Sequence, residues 1–131
     1  MKKSLRSFFL IFVLLICVVP VLSACGGRNE PTKYQVKTAF LEAGFTVFLE
    51  VTDEMLAANM EWMIIMRKDY GTGFIRVSIS RMSRRSDASF AATGFRHTGR
   101  SYYRRGNIIA YVTPRGENNA NAWGLDPLRN I

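Results

Sequence analysis

The chain has 131 residues, of which 48% are hydrophobic and 21% charged, with a formal net charge of +8, two cysteines and one histidine. That length accommodates one modest domain and excludes a two-domain enzyme, and the apolar fraction excludes a disordered charged tail. So few cysteines and histidines exclude a disulfide scaffold and a Cys/His zinc module.

Lys2, Lys3 and Arg6 precede an apolar run from Phe8 to Val19, and a short stretch of small residues ends at Cys25. This is the layout of a secretory signal. As a helix the run spans about 18 Å, well short of the roughly 30 Å hydrocarbon core, which disfavours a permanent transmembrane helix. An ordinary signal peptidase wants small residues at −1 and −3, whereas a cut before Cys25 leaves Leu22 at −3. Leu22-Ser23-Ala24-Cys25 resembles the lipobox of bacterial lipoproteins, and the resemblance covers Met1 to Gly26. It implies removal of a signal peptide, residues 1–24, and lipid attachment at Cys25, which becomes the mature N-terminus. Two acyl chains anchor stably where one does not. Cys17 leaves with the signal, so no disulfide, thiol nucleophile or Cys-ligated metal site is expected in the mature chain.

Residues 25–31 read as a short lipid-anchored tether. Its Gly26-to-Pro31 portion reaches at most about 20 Å. Thr32-Lys33-Tyr34-Gln35 matches a capping box, and Val36, Ala39, Phe40 and Ala43 follow at i, i+3, i+4 and i+7, predicting an amphipathic helix. Gly44 is the expected left-handed residue after it, with Phe40 and Phe45 as the contact of a Schellman ending. Phe45, Val47, Leu49 and Val51 then alternate with Thr46, Phe48, Glu50 and Thr52, predicting a strand. Asp53 to Asn59 reads as a short helical connection with Thr52 as its cap. Trp62 to Met66 reads as a central strand, and Asp69 to Gly73 as a turn. Ile75, Val77 and Ile79 mark the returning strand.

Phe90 to Phe95 echoes Phe40 to Phe45, which predicts a second helix over Asp87 to Thr93, with Ser86 as N-cap and Gly94 in the left-handed exit position. Ser101–Arg104 and Ile108–Thr113 read as a final hairpin turned by Arg105-Gly106-Asn107. Pro114 stops it. The expected fold is α+β, an antiparallel sheet of about five strands with two helices packed on one face, in the order α-β-β-β-α-β-β. The domain is expected over 32–114, followed by a polar C-terminal tail over 115–131. Ala43-Gly44-Phe45, leading from helix to strand, and Arg105-Gly106-Asn107, opening a late apolar strand, resemble features of small α+β domains of unknown function that follow lipoboxes in exported bacterial proteins. That resemblance implies a fold and a compartment, and carries no activity.

The composition offers little to an enzyme. His97 is the lone imidazole, in a stretch read as loop, and no G-x-S-x-G or H-E-x-x-H motif is present. Glu50, Asp53 and Glu54 form the sole carboxylate cluster, at a strand-to-helix junction where Asp53 and Glu54 serve the helix dipole. No cofactor or metal is expected, and no catalytic residue is assigned.

Charge is unevenly distributed. Residues 28–69 hold five basic and seven acidic side chains, whereas residues 70–131 hold ten arginines against three acids. Arginine suits bidentate contacts with phosphate or carboxylate, which makes Arg84, Arg85, Arg104 and Arg105 the candidate anion-binding residues. A second candidate surface is apolar: if helices cover one sheet face, Phe48, Met63 and Ile65 are exposed on the other.

The sequence therefore predicts an exported protein, lipid-anchored on the outer face of a bacterial membrane through Cys25, whose domain binds a partner at the cell envelope rather than catalysing a reaction. The partner is an anionic lipid or envelope polymer at the arginines, or a protein at the apolar face; export argues against intracellular nucleic acid. The alternative reading is a structural accessory subunit of an envelope assembly.

Overall fold

The computed structural model describes residues 30–113 and 122–131. The signal segment, Cys25 and most of the tether lie outside the described residues.

Thr32 closes both halves of the predicted capping box: its Oγ1 accepts the Gln35 N–H at 3.2 Å, and its own N–H donates to Gln35 Oε1 at 2.9 Å. Helix α1 (Lys33–Glu42) buries Val36 and Phe40 and ends in the expected Schellman motif. The Phe45 N–H donates to the Phe40 carbonyl at 2.9 Å and the Gly44 N–H to that of Leu41 at 3.0 Å, with Gly44 at φ +87°. The Phe40 and Phe45 rings meet edge to face at 5.0 Å.

The chain then forms β1 (Thr46–Glu50), a 3-10 turn (Asp53–Met55), β2 (Met60–Tyr70), β3 (Gly73–Met82), α2 (Arg85–His97), β4 (Tyr102–Arg105) and β5 (Ile108–Thr113). A second 3-10 turn (Ala122–Leu125) leads into the one-turn helix α3 (Asp126–Arg129). All five strands join one antiparallel sheet in the order β1-β2-β3-β5-β4. The architecture is α+β, with the predicted order α-β-β-β-α-β-β through β5. Thr52 takes the cap position of the first 3-10 turn, without a side-chain hydrogen bond.

The cross-strand register divides the sheet into two faces. On the first, Ile64 and Met66 of β2, Ile75, Val77 and Ile79 of β3 and Ile108, Ala110 and Val112 of β5 form the main core with Val36, Phe40 and Phe45. On the second, Met82 and Ile109 pack with Ala88 and Ala92 of α2, flanked by Met60, Phe95 and Tyr102. The two longer helices thus lie on opposite faces rather than on the one face expected. Ser78 and Ser80, which face the α2 side from β3, are buried. Small side chains on both elements let α2 approach this side of the sheet closely.

Helix α2 also corrects the second predicted exit. It begins at Arg85 after Arg84, not after Ser86, and runs through Gly94 to His97. The Schellman ending comes one glycine later. Gly99 has φ +66°, the Arg100 N–H donates to the Phe95 carbonyl at 3.0 Å and the Gly99 N–H to that of Arg96 at 3.3 Å. Phe95 is therefore the counterpart of Phe40, not of Phe45. The inward stripe Ala88, Ala92 and Phe95 continues past Gly94, and that packing outweighs the roughly 1 kcal/mol that a mid-helix glycine costs.

The C-terminal segment is not a polar tail in the part that is described. Leu125 and Leu128 are 0% and 1% exposed within the main core, and Pro127 is buried beside them. The Trp123 ring packs against those of Phe45 and Tyr70 at 6.3 Å and 5.7 Å. A few apolar residues spaced Trp-x-Leu-x-x-Leu suffice to close the core, because β2, β3 and β5 present a preformed apolar surface to them. The predicted stretch 115–131 is thus divided: 122–131 belongs to the domain, and 115–121 lies outside the described residues.

Candidate functional site

The predicted quartet of arginines does not form one surface. Arg104 and Arg105 are consecutive on β4, and successive strand residues point to opposite faces. Arg105 lies on the main-core side, where its Nη1 donates to the Ile131 carbonyl. Arg104 is on the α2 side with Tyr102, and Arg84 and Arg85 are exposed at the start of that helix. Three of the four thus share one side of the sheet, and Arg105 is turned away.

The N-terminal entry of the domain is fastened at this same end. The Glu30 carboxylate accepts the Asn107 N–H at 2.9 Å and Arg81 Nε at 3.0 Å. Glu61 pairs with Nη1 of the same arginine. The Asn107 side chain in turn donates to the Met82 carbonyl at 3.1 Å. The β4–β5 turn, the end of β3 and the chain entry are thus bound into one knot, and Arg84, Arg85 and Arg104 lie at the same end of the sheet.

At the other end of the second face lies a row that the sequence reading did not single out. Thr46, Arg67, Arg76 and Thr113 are successive cross-strand partners on β1, β2, β3 and β5. Two arginines directly opposite one another repel, so this register carries a cost. Arg67 is partly neutralised by Asp69 at 3.0 Å, and its guanidinium lies 4.1 Å from the Phe74 ring centre. The Arg76 guanidinium lies 5.3 Å from the same ring and 4.9 Å from that of Phe48. Arg100 joins the row from the loop before β4, donating to Thr113 Oγ1 at 3.2 Å and lying 5.1 Å from the Tyr111 ring. Arg76 has no hydrogen-bond or ion-pair partner among the described residues, and its Nε is buried.

Phe48, which is 48% exposed, sits at the bulge between Val47 and Leu49, which re-aims β1 toward this face. Met63 and Ile65 are half-buried beyond it. Of the expected apolar surface Phe48 is thus the exposed member, and it adjoins the arginines through Arg76. The signal in the sequence was Arg67 and Arg76 at equal distances from the Gly71-Thr72 turn, which puts them opposite each other once the hairpin register is known.

The remaining candidates are committed elsewhere. Glu50 accepts Lys33 at 2.6 Å and Lys37 at 3.1 Å, and these hydrogen bonds, Lys33 first, hold its carboxyl below the usual glutamate value. Asp53 and Glu54 open the 3-10 turn. His97 is exposed in the last turn of α2, where a helix end favours basic side chains. A cleft of about 480 Å³ lies between Phe45, Lys68, Trp123 and Asp126. The Lys68 ammonium there donates to the Ala43 carbonyl at 2.7 Å and so caps α1. Among the described residues there is no cluster of three or more His, Cys, Asp or Glu side chains, and no helix long and apolar enough to cross a membrane. No protein-family model, curated protein or solved structure matches this chain.

Proposed function

We propose that the chain is an exported lipoprotein, held to the outer face of a membrane through Cys25, whose domain binds anionic groups at the envelope with its tethered end turned toward the lipid. The observation that carries the reading is the knot of Glu30, Asn107 and Arg81, because it fixes where the anchor enters. From Cys25 to Glu30 the chain reaches at most about 18 Å, so this end of the sheet stays near the bilayer. Arg84, Arg85 and Arg104 are the basic side chains there that no described acid pairs. A cation near an anionic surface contributes roughly 1 kcal/mol, so three together supply a preferred orientation on top of the acyl anchor.

Two measurements test the two parts. Cys25→Ala expressed in a bacterial host should accumulate as a slower-migrating precursor without acyl label; wild-type migration and labelling would dismiss the lipid anchor. The wild-type lipoprotein in anionic nanodiscs should show slower amide exchange over 84–88 and 104–107 than in zwitterionic ones, with high salt removing the difference. The triple Arg→Gln variant at 84, 85 and 104 should behave alike in both. Equal exchange of the wild type in both lipids would dismiss the orientation.

A further inference from the structure

We infer that Arg67, Arg76 and Arg100 form a second binding site, for a polymer bearing phosphate groups, at the end of the sheet remote from the tether. The site needs only the fold; the lipoprotein reading adds the direction in which it faces.

The row extends across four adjacent strands from Thr46 to Thr113. Strands lie about 4.8 Å apart, so the row is roughly 14 Å long, more than a single oxyanion covers. Its members combine charge with stacking. Phe74 carries Arg67 and Arg76, Phe48 carries Arg76, and Tyr111 carries Arg100. Rings under guanidinium planes restrict them without using their N–H donors.

The donors that remain are spread over three arginines, an arrangement that the several oxygens of a phosphate can use. Arg67 directs Nε and Nη2 to Asp69, and Arg100 directs Nη1 to Thr113. The Arg76 Nε is buried. The Nε-side fork is therefore spent at Arg67 and covered at Arg76, which keep Nη donors, whereas Arg100 retains its Nε and Nη2. The tetrahedral oxygens of a phosphate can accept such donors from different directions. The Thr113 hydroxyl, which accepts from Arg100 Nη1, keeps its own proton as a neutral donor at one end of the row, while that of Thr46 is donated to the Arg67 carbonyl at 3.4 Å.

The row is also set apart from the basic end that faces the lipid. Along β3, Arg76 precedes Arg81 by five residues, about 17 Å, and Arg81 belongs to the knot with Glu30. A protein anchored at the knot would present the row outward, with Phe48 exposed beside it.

The test uses the full lipoprotein in zwitterionic nanodiscs, with inorganic polyphosphate as the probe and polyglutamate of matched charge as the comparison. Polyphosphate should bind with a steep salt dependence, and polyglutamate at least about tenfold more weakly. Arg76→Gln should weaken polyphosphate binding about tenfold and lower the salt slope by roughly one. Arg84→Gln with Arg85→Gln should leave it within about twofold. Phe74→Leu preserves apolar bulk but removes the ring, and should weaken binding several-fold while the amide spectrum stays native. Equal binding of both polymers, or equal loss from the 76 and 84/85 variants, would overturn the site. So would an undiminished affinity in both Arg76→Gln and Phe74→Leu. Each outcome is independent of whether the 84/85/104 end touches anionic lipid.

Discussion

Glu30 accepts the backbone N–H of Asn107 across 77 residues of chain. The bond ties the entry of the domain to its last hairpin, and it works because Gly106 lies between them. A Cβ on Gly106 would run into the Glu30 carboxylate, and the glycine itself sits at φ +59°.

Gly106→Ala should therefore destabilise the domain by about 2 kcal/mol through the left-handed backbone and the displaced carboxylate. Glu30→Ala removes one of those two causes. In a double-mutant cycle by urea unfolding, Gly106→Ala should cost measurably less in the Glu30→Ala background. Strict additivity would show that the carboxylate and the turn are not coupled.

The two glycines of α2 should respond in opposite directions. Gly94 lies inside the helix with open space where its Cβ would be, so Gly94→Ala should stabilise by about 0.5–1 kcal/mol. Gly99, at φ +66°, should lose about 1–2 kcal/mol on the same change. Thermal midpoints that shift in the same direction for both would place the helix end elsewhere.

Leu128→Ala should cost about 2–5 kcal/mol, the range for deleting a fully buried leucine side chain. If 122–131 were a solvated tail, the change would stay within about 0.5 kcal/mol. Equilibrium denaturation separates these values readily.

Glu50 gives the domain a specific acid sensitivity. Its folded-state carboxyl titrates below the ordinary glutamate value because Lys33 and Lys37 hydrogen-bond to it. A depressed carboxyl contributes stability that is fully present above the unfolded value, about 4.3, and lost as pH falls through the folded one. Glu50→Gln should thus lower the melting temperature slightly at neutral pH and flatten the decline below about pH 4.3. Because all three side chains are at least a third exposed, high salt should shrink the difference. A Glu50→Gln curve parallel to the wild type through the acid range would contradict this role.

Local chemistry was sufficient where a short stretch of sequence contains both partners of an interaction. Thr32 and Gln35 specify the start of α1, Phe40, Gly44 and Phe45 its end, and the alternation about Gly71-Thr72 and Gly106-Asn107 the two hairpins. Those few elements already dictate an α+β domain with five strands. The uneven charge is also a property of the sequence, as is the layout of residues 1–25 that motivates the lipid anchor.

What tertiary structure decided lies wherever the partner is far along the chain. Gly94 and Gly99 are locally equivalent stops, and the choice fell to the one that keeps Phe95 against Tyr102 and Tyr111. Leu125 and Leu128 look like isolated leucines until β3 and β5 offer them a surface. Arg104 and Arg105 are neighbours in sequence but face apart on a pleated strand, whereas Arg100 joins Arg67 and Arg76 only because the sheet order places β5 beside β3. Charge adds up along a sequence, but a binding surface depends on register and facing direction, which are fixed when distant strands pair and one side of the sheet becomes the core.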